Sequence, residues 1–111
     1  MEHEVRKGVI SKLREERLCL RYAISGSLTL EIAGQRCCGS PKLISIGGIL
    51  FQSDTKFPRG ARGTMWLEVY GFNDMIVSSV RIVRTEGHFT AAVFLMPPFD
   101  LERLISLLAN E

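Results

Sequence analysis

Lys42-Leu43-Ile44-Ser45-Ile46-Gly47-Gly48-Ile49-Leu50-Phe51 is the stretch on which the fold of this chain turns. Apolar residues flank a small Ser and two adjacent glycines, so the run reads as one strand, about residues 43–52, broken at a single point. A glycine pair inside an apolar run marks a bulge, a sharp bend, or a place where another group approaches the backbone closely. Ser45 sets a hydroxyl, donor and acceptor both, just ahead of the break. Taken alone, the stretch describes a barrel corner whose glycines serve the bend and whose serine satisfies a strand-end backbone group.

Working outward, similar segments lie on either side. From Ser27, the alternation of Leu28, Leu30 and Ile32 with Thr29 and Glu31 predicts a half-buried strand. Residues 33–41, with Gly34, Gly39 and Pro41, read as turn and loop, as do residues 53–63. Residues 64–72 alternate again, with Met65, Leu67 and Val69 on one face and Trp66, Glu68 and Tyr70 on the other. Gly71-Phe72-Asn73-Asp74 predicts a hairpin connection, residues 75–84 the next strand with Val80 and Ile82 inward, and residues 88–96 the last. Pro97-Pro98 ends the sheet, Asp100 is a candidate N-cap, and Leu101, Leu104, Ile105 and Leu108 form one helical stripe. Five or six short strands and one terminal helix predict a mostly β fold, a small antiparallel six-stranded barrel with a C-terminal α-helix.

Length and composition fit this reading. The chain has 111 residues, 46% of them hydrophobic and 23% charged, which suits one domain with one core. No apolar run approaches the ~20 residues of a membrane span, and the charged amino terminus lacks the core of a secretory signal, so a cytoplasmic location is expected. Net charge is only +2, but Arg6, Lys7, Lys12, Arg14, Arg17 and Arg21 place six of the fourteen basic residues ahead of the first strand. Residues 2–15 carry Val5, Val9, Ile10 and Leu13 at near-helical spacing, which fits a short helix or an ordered arm. In Arg17-Leu18-Cys19-Leu20-Arg21, an extended backbone places both guanidiniums on one face.

These residues do not describe an enzyme. His3 and His88 stand apart from any candidate nucleophile, no paired carboxylates stand out, and no phosphate-loop or nucleophile-elbow motif occurs. Cys19, Cys37 and Cys38 are odd in number and form no CxxC pair, so buried or half-buried thiols are expected rather than disulfides or a metal. Phe51, Trp66, Tyr70 and Phe72 would be the stacking platforms of a single-strand nucleic-acid binder, but the low net charge favours packing, and no nucleic-acid partner is expected.

Two features then combine: Arg17-x-x-x-Arg21, and Ser45-x-x-Gly48 in a stretch that begins at Leu43, after the intervening residues 22–42. In this order, followed by barrel strands and a C-terminal helix, they make residues 16–108 resemble the PilZ domain family, whose members bind the bacterial second messenger cyclic di-GMP through an RxxxR arm and a [D/N]xSxxG motif. Pro58-Arg59-Gly60 and Val80-x-Ile82-Val83-Arg84 add to the likeness. The resemblance implies an N-terminal arm, residues 1–21, and a barrel with its helix, residues 22–111, in one domain. It implies ligand binding by Arg17, Arg21, Ser45 and Gly48, with no catalytic residue, metal or further cofactor. Arginine suits such a ligand because its planar fork bonds phosphate, or the guanine O6/N7 edge, bidentately. Gly48 would let the ligand meet the backbone.

The chain departs from the family pattern at two positions. Leu43 stands where the family has Asp or Asn and cannot accept from the guanine N1 and N2 donors, a loss of about 1–3 kcal/mol, or roughly ten- to a hundredfold in affinity. Glu16 precedes the RxxxR, where family members that take a stacked ligand dimer tend to carry a basic residue. The expectation is weak binding of one ligand molecule, with Asp54 or a water as a substitute acceptor. The rival reading is a PilZ-type adaptor that has lost the ligand and binds a protein partner, as in pilus or motility control.

Overall fold

The structure, a computed structural model, describes residues 20–110. The strands are β1 (Tyr22–Ala23), β2 (Gly26–Ile32), β3 (Gln35–Ile44), β4 (Gly48–Gln52), β5 (Arg62–Val69), β6 (Ile76–Glu86) and β7 (Phe89–Phe94), followed by the helix α1 (Leu101–Ala109). All pair antiparallel in the order β1-β3-β2-β5-β6-β7-β4, and β4 pairs back onto β3. Six strands therefore close a barrel, as the alternating segments predict, and β1 is an added strand on β3.

The opening stretch is not one bent strand. It is the end of β3, a turn, and the start of β4. The difference arises upstream, because residues 35–41 are strand rather than loop. Only Ala33 and Gly34 turn the chain there, both at positive φ (53° and 79°), which joins β2 to β3 in the tight geometry a hairpin favours. Gly39 and Pro41 then lie inside β3 for packing reasons. A Cβ at Gly39 would stand 2.9 Å from the Gln52 carbonyl oxygen and 3.1 Å from the Phe51 ring. Pro41 falls between the last β2 partner of this strand, Gly39, and its first β1 partner, Leu43, next to a register shift, where a missing N–H is tolerated.

Strand alternation builds the core. Leu28 and Leu30 of β2, Ile49 and Phe51 of β4, Met65, Leu67 and Val69 of β5, and Ile76, Val80 and Ile82 of β6 are buried in one cluster. Helix α1 adds Leu101 and Leu104, with Ile105 and Leu108 packed at the margin. The helix lies against β1 and is tied to the β5–β6 connection, where Arg103 bonds the Asp74 carboxylate and sits 5.1 Å from the centroid of the Phe72 ring. Asp100 takes the N-cap position without capping through its side chain; its carboxylate lies 3.5 Å from Arg103 instead. Cys37 is half-buried, whereas Cys38 is exposed, contrary to the expectation of a sheltered thiol, because neighbouring strand residues point to opposite faces. Cys19 and the expected helix or arm at residues 2–15 lie outside the described residues. Among the described residues no helix is long and apolar enough to cross a membrane.

Candidate functional site

The β3–β4 turn is held by its own serine. The Ser45 N–H donates to the Gly48 carbonyl at 2.9 Å, and the Ser45 Oγ accepts from the Gly47 and Gly48 N–H groups at 3.3 and 3.2 Å. The hydroxyl hydrogen has only a long contact to the Gly48 carbonyl, 3.4 Å. The Gly47 carbonyl accepts from the Phe94 N–H at 3.0 Å, which fastens the turn to the end of β7.

The bareness of Gly48 has a different cause from the one expected. A Cβ there would lie 2.3 Å from the Ala92 carbonyl oxygen and 3.2 Å from the Val93 Cα, so the glycine lets β4 approach β7 and close the barrel. The side that a Cβ would occupy faces β7.

Beside the turn is a cavity of about 230 Å³ on the outer face of the barrel. Its floor follows one cross-strand row, since Leu43 pairs with Leu50, Leu50 with Ala91, and Ala91 with Arg84. With strands about 4.8 Å apart, the row spans roughly 14 Å along the sheet. Val83 and Val93 extend the apolar floor. Arg21, immediately ahead of β1, and Arg84, on β6, bring guanidiniums to the cavity. Both are exposed residues, and neither enters a salt bridge among the described residues. The volume falls below the roughly 300–1,000 Å³ of pockets that enclose a whole small molecule, so the cavity is an open groove rather than an enclosing pocket.

Three of the four residues named from the sequence line one cavity: Ser45 and Gly48 from one turn, and Arg21 from 24 residues before Ser45. Arg17 lies outside the described residues. Leu43 lines the same cavity. Asp54 does not; it is fully exposed beside His88, 3.8 Å away, and borders a separate depression with Cys38 and Ser40. It is not a substitute acceptor near Leu43, because it follows the far end of β4 from the turn. Arg84 is the residue that motif reading overlooks as a site member. The register shift between Ile82 and Arg84 resets the alternation of β6 and pairs Arg84 with the outward-facing Ala91; a strict count of two places Arg84 inward with Ile82. Among the described residues, no three His, Cys, Asp or Glu side chains gather into a metal site.

No family model matches the sequence, and no curated protein matches it. Solved structures do match the fold. One is the PilZ domain of CeSA from a cellulose-synthesizing bacterium, with a TM-score of 0.62, 14% identity, and coverage of 82% of this chain and 96% of that one. Another is an uncharacterised protein of Legionella, with a TM-score of 0.53, 16% identity, and coverage of 82% and 90%. At these identities the likeness is one of fold, and it agrees with the closed six-stranded barrel, its added strand and its C-terminal helix. By fold, the chain is a PilZ-like domain.

Proposed function

We propose that this domain is a receptor or effector for cyclic di-GMP in bacterial second-messenger signalling in the cytoplasm. The observation that supports the reading most is that Arg21, distant in sequence, lines the same outer groove as the turn holding Ser45 and Gly48. Arg21 and Arg84 supply planar forks for the two phosphates of the ligand, with Arg17 as a further fork from an arm formed by residues 1–21. The Ser45 hydroxyl hydrogen, weakly engaged within the turn, is available to a ligand oxygen. Gly48 keeps the turn and β7 in register beneath it. The domain binds rather than catalyses, takes one ligand molecule weakly, and passes the signal to a downstream protein.

One observation favours a second reading. Among the described residues the lining has no carboxylate, and Leu43 stands in its floor, as suits a ligand-independent adaptor that docks a protein partner. Titration calorimetry with cyclic di-GMP separates the two. The receptor reading predicts saturable binding by the wild type and a loss of roughly tenfold or more in Arg21→Ala/Arg84→Ala, because each charge-assisted contact is worth about 1.5–3 kcal/mol before solvent screening. No heat at high micromolar ligand removes the receptor reading, and binding untouched by the double substitution removes the groove as the site.

A further inference from the structure

Beside the groove, the outer face of the barrel carries an apolar strip. Trp66 of β5 pairs with Val77 of β6, and both alternate with buried neighbours, so both point outward. Leu95, just past β7, donates its N–H to the Ser79 carbonyl at 2.9 Å, which sets it one strand over from Val77 on the same face. Met75, just ahead of β6, and Met96 and Phe99, beyond β7, extend the strip at its end. Among the described residues, exposure of the aliphatic and phenyl side chains here runs from 42% at Leu95 to 98% at Phe99. Single exposed apolar residues are ordinary, but a contiguous group of them marks a surface that another segment or molecule covers.

The chain itself supplies an occupant. The described residues begin at Leu20, and Arg21 precedes Tyr22, which pairs with Ile44 beside the β3–β4 turn. From β1 across β3 and β4 to β7 is three strand spacings, roughly 14 Å. Residues 16–20, extended, span roughly 16 Å, which brings residues 2–15 within reach of Leu95. Those residues carry Val5, Val9, Ile10 and Leu13 at near-helical spacing, with Gly8 between them. A helix so short, weakened by a glycine, is marginal in water and holds when its apolar stripe packs on a surface. We infer that residues 2–15 lie along this strip, with Val5, Val9 and Leu13 set against Val77, Leu95 and Trp66. The cover is permanent, and residues 16–19 pass beside the groove, so it does not depend on any ligand.

Trp66 is the only tryptophan of the chain, so its fluorescence reports the strip directly. In the full chain, Val9→Asp/Leu13→Asp is expected to move Trp66 emission to longer wavelength and to increase its quenching by acrylamide, because a charged stripe leaves an apolar surface. Leu95→Glu, at an exposed position, breaks the same contact from the barrel side and is expected to shift the emission in the same direction. Methyl-labelled nuclear magnetic resonance of the wild type is expected to show cross-peaks from Val9 and Leu13 to Val77 and Leu95, lost in the double variant. Emission and quenching unchanged in both variants overturn the inference, as does a wild type without those cross-peaks. Cross-peaks found only between differently labelled copies, in a chain that sediments as a dimer, overturn it as well and assign the strip to a second copy.

Discussion

Gly48→Ala is expected to lower the stability of the domain by about 3 kcal/mol, a large effect for one methyl group. The new Cβ would stand 2.3 Å from the Ala92 carbonyl oxygen, a main-chain atom of β7 that cannot rotate away as a side chain could. Relief requires β4 and β7 to part along the Gly48–Val93 and Ile49–Ala92 pairs, one of the seams that keep the sheet closed. At about 4–8 °C per kcal/mol for a domain of this size, the melting temperature falls by roughly 12–24 °C. Gly47→Ala is the matched control. A Cβ there meets only the Ser45 Oγ, at 4.0 Å, and Gly47 does not have a positive φ, so its cost stays within about 0.5 kcal/mol. Thermal unfolding followed by circular dichroism checks both. Equal melting temperatures for the two variants contradict the packing argument. Any loss of ligand binding in Gly48→Ala is then a loss of barrel closure, which makes this residue a poor probe of the site itself.

Phe51→Ala is expected to cost about 3–5 kcal/mol, the range for emptying a buried aromatic position. Phe51 is 1% exposed and is the largest fully buried side chain among the described residues. Its ring meets Phe57 edge-on, with centroids 6.2 Å apart and planes at 62°, an arrangement worth about 0.5–1.5 kcal/mol beyond area. Gly39 on β3 leaves room for the same ring, so the backbone around it is shaped to the side chain it holds. Because β4 pairs with both β3 and β7, the cavity opens where the barrel closes on itself. Urea unfolding measures the loss, and a cost below about 1 kcal/mol shows that the site collapses freely, against the tight packing described.

The strands of clean alternation, β2 and β5 with Leu28, Leu30, Met65, Leu67 and Val69 inward, were legible from the sequence because each has one face in the core and one toward solvent. The helical stripe of α1 was legible for the same reason. β3 was not, because the residues that disqualify a strand locally, Gly39 and Pro41, are accommodated by partners distant in sequence: the Phe51 ring and the gap between β2 and β1. Missing β3 turned a hairpin into a bend. At the site, order and spacing single out Arg21, Ser45 and Gly48, and the structure places Arg21 along the same groove as the turn that holds the other two. Arg84 escaped because a register shift resets the alternation of β6, and no rule of period two anticipates a bulge. The purpose of Gly48 was hidden as well, since a glycine shows in the sequence that space is needed and not which neighbour needs it.

The groove beside the β3–β4 turn is where this domain is proposed to take a cyclic dinucleotide. Backbone amide shifts during a titration with cyclic di-GMP test it residue by residue. The Gly47 and Gly48 amides are expected to move, since they bond the Ser45 Oγ at the edge of the groove, along with Leu50 and Ala91 on its floor. The amides of Thr29 and Trp66, paired on β2 and β5 away from the groove, are expected to stay still. Shifts confined to the Thr29 and Trp66 face, or none at saturating ligand, would contradict it.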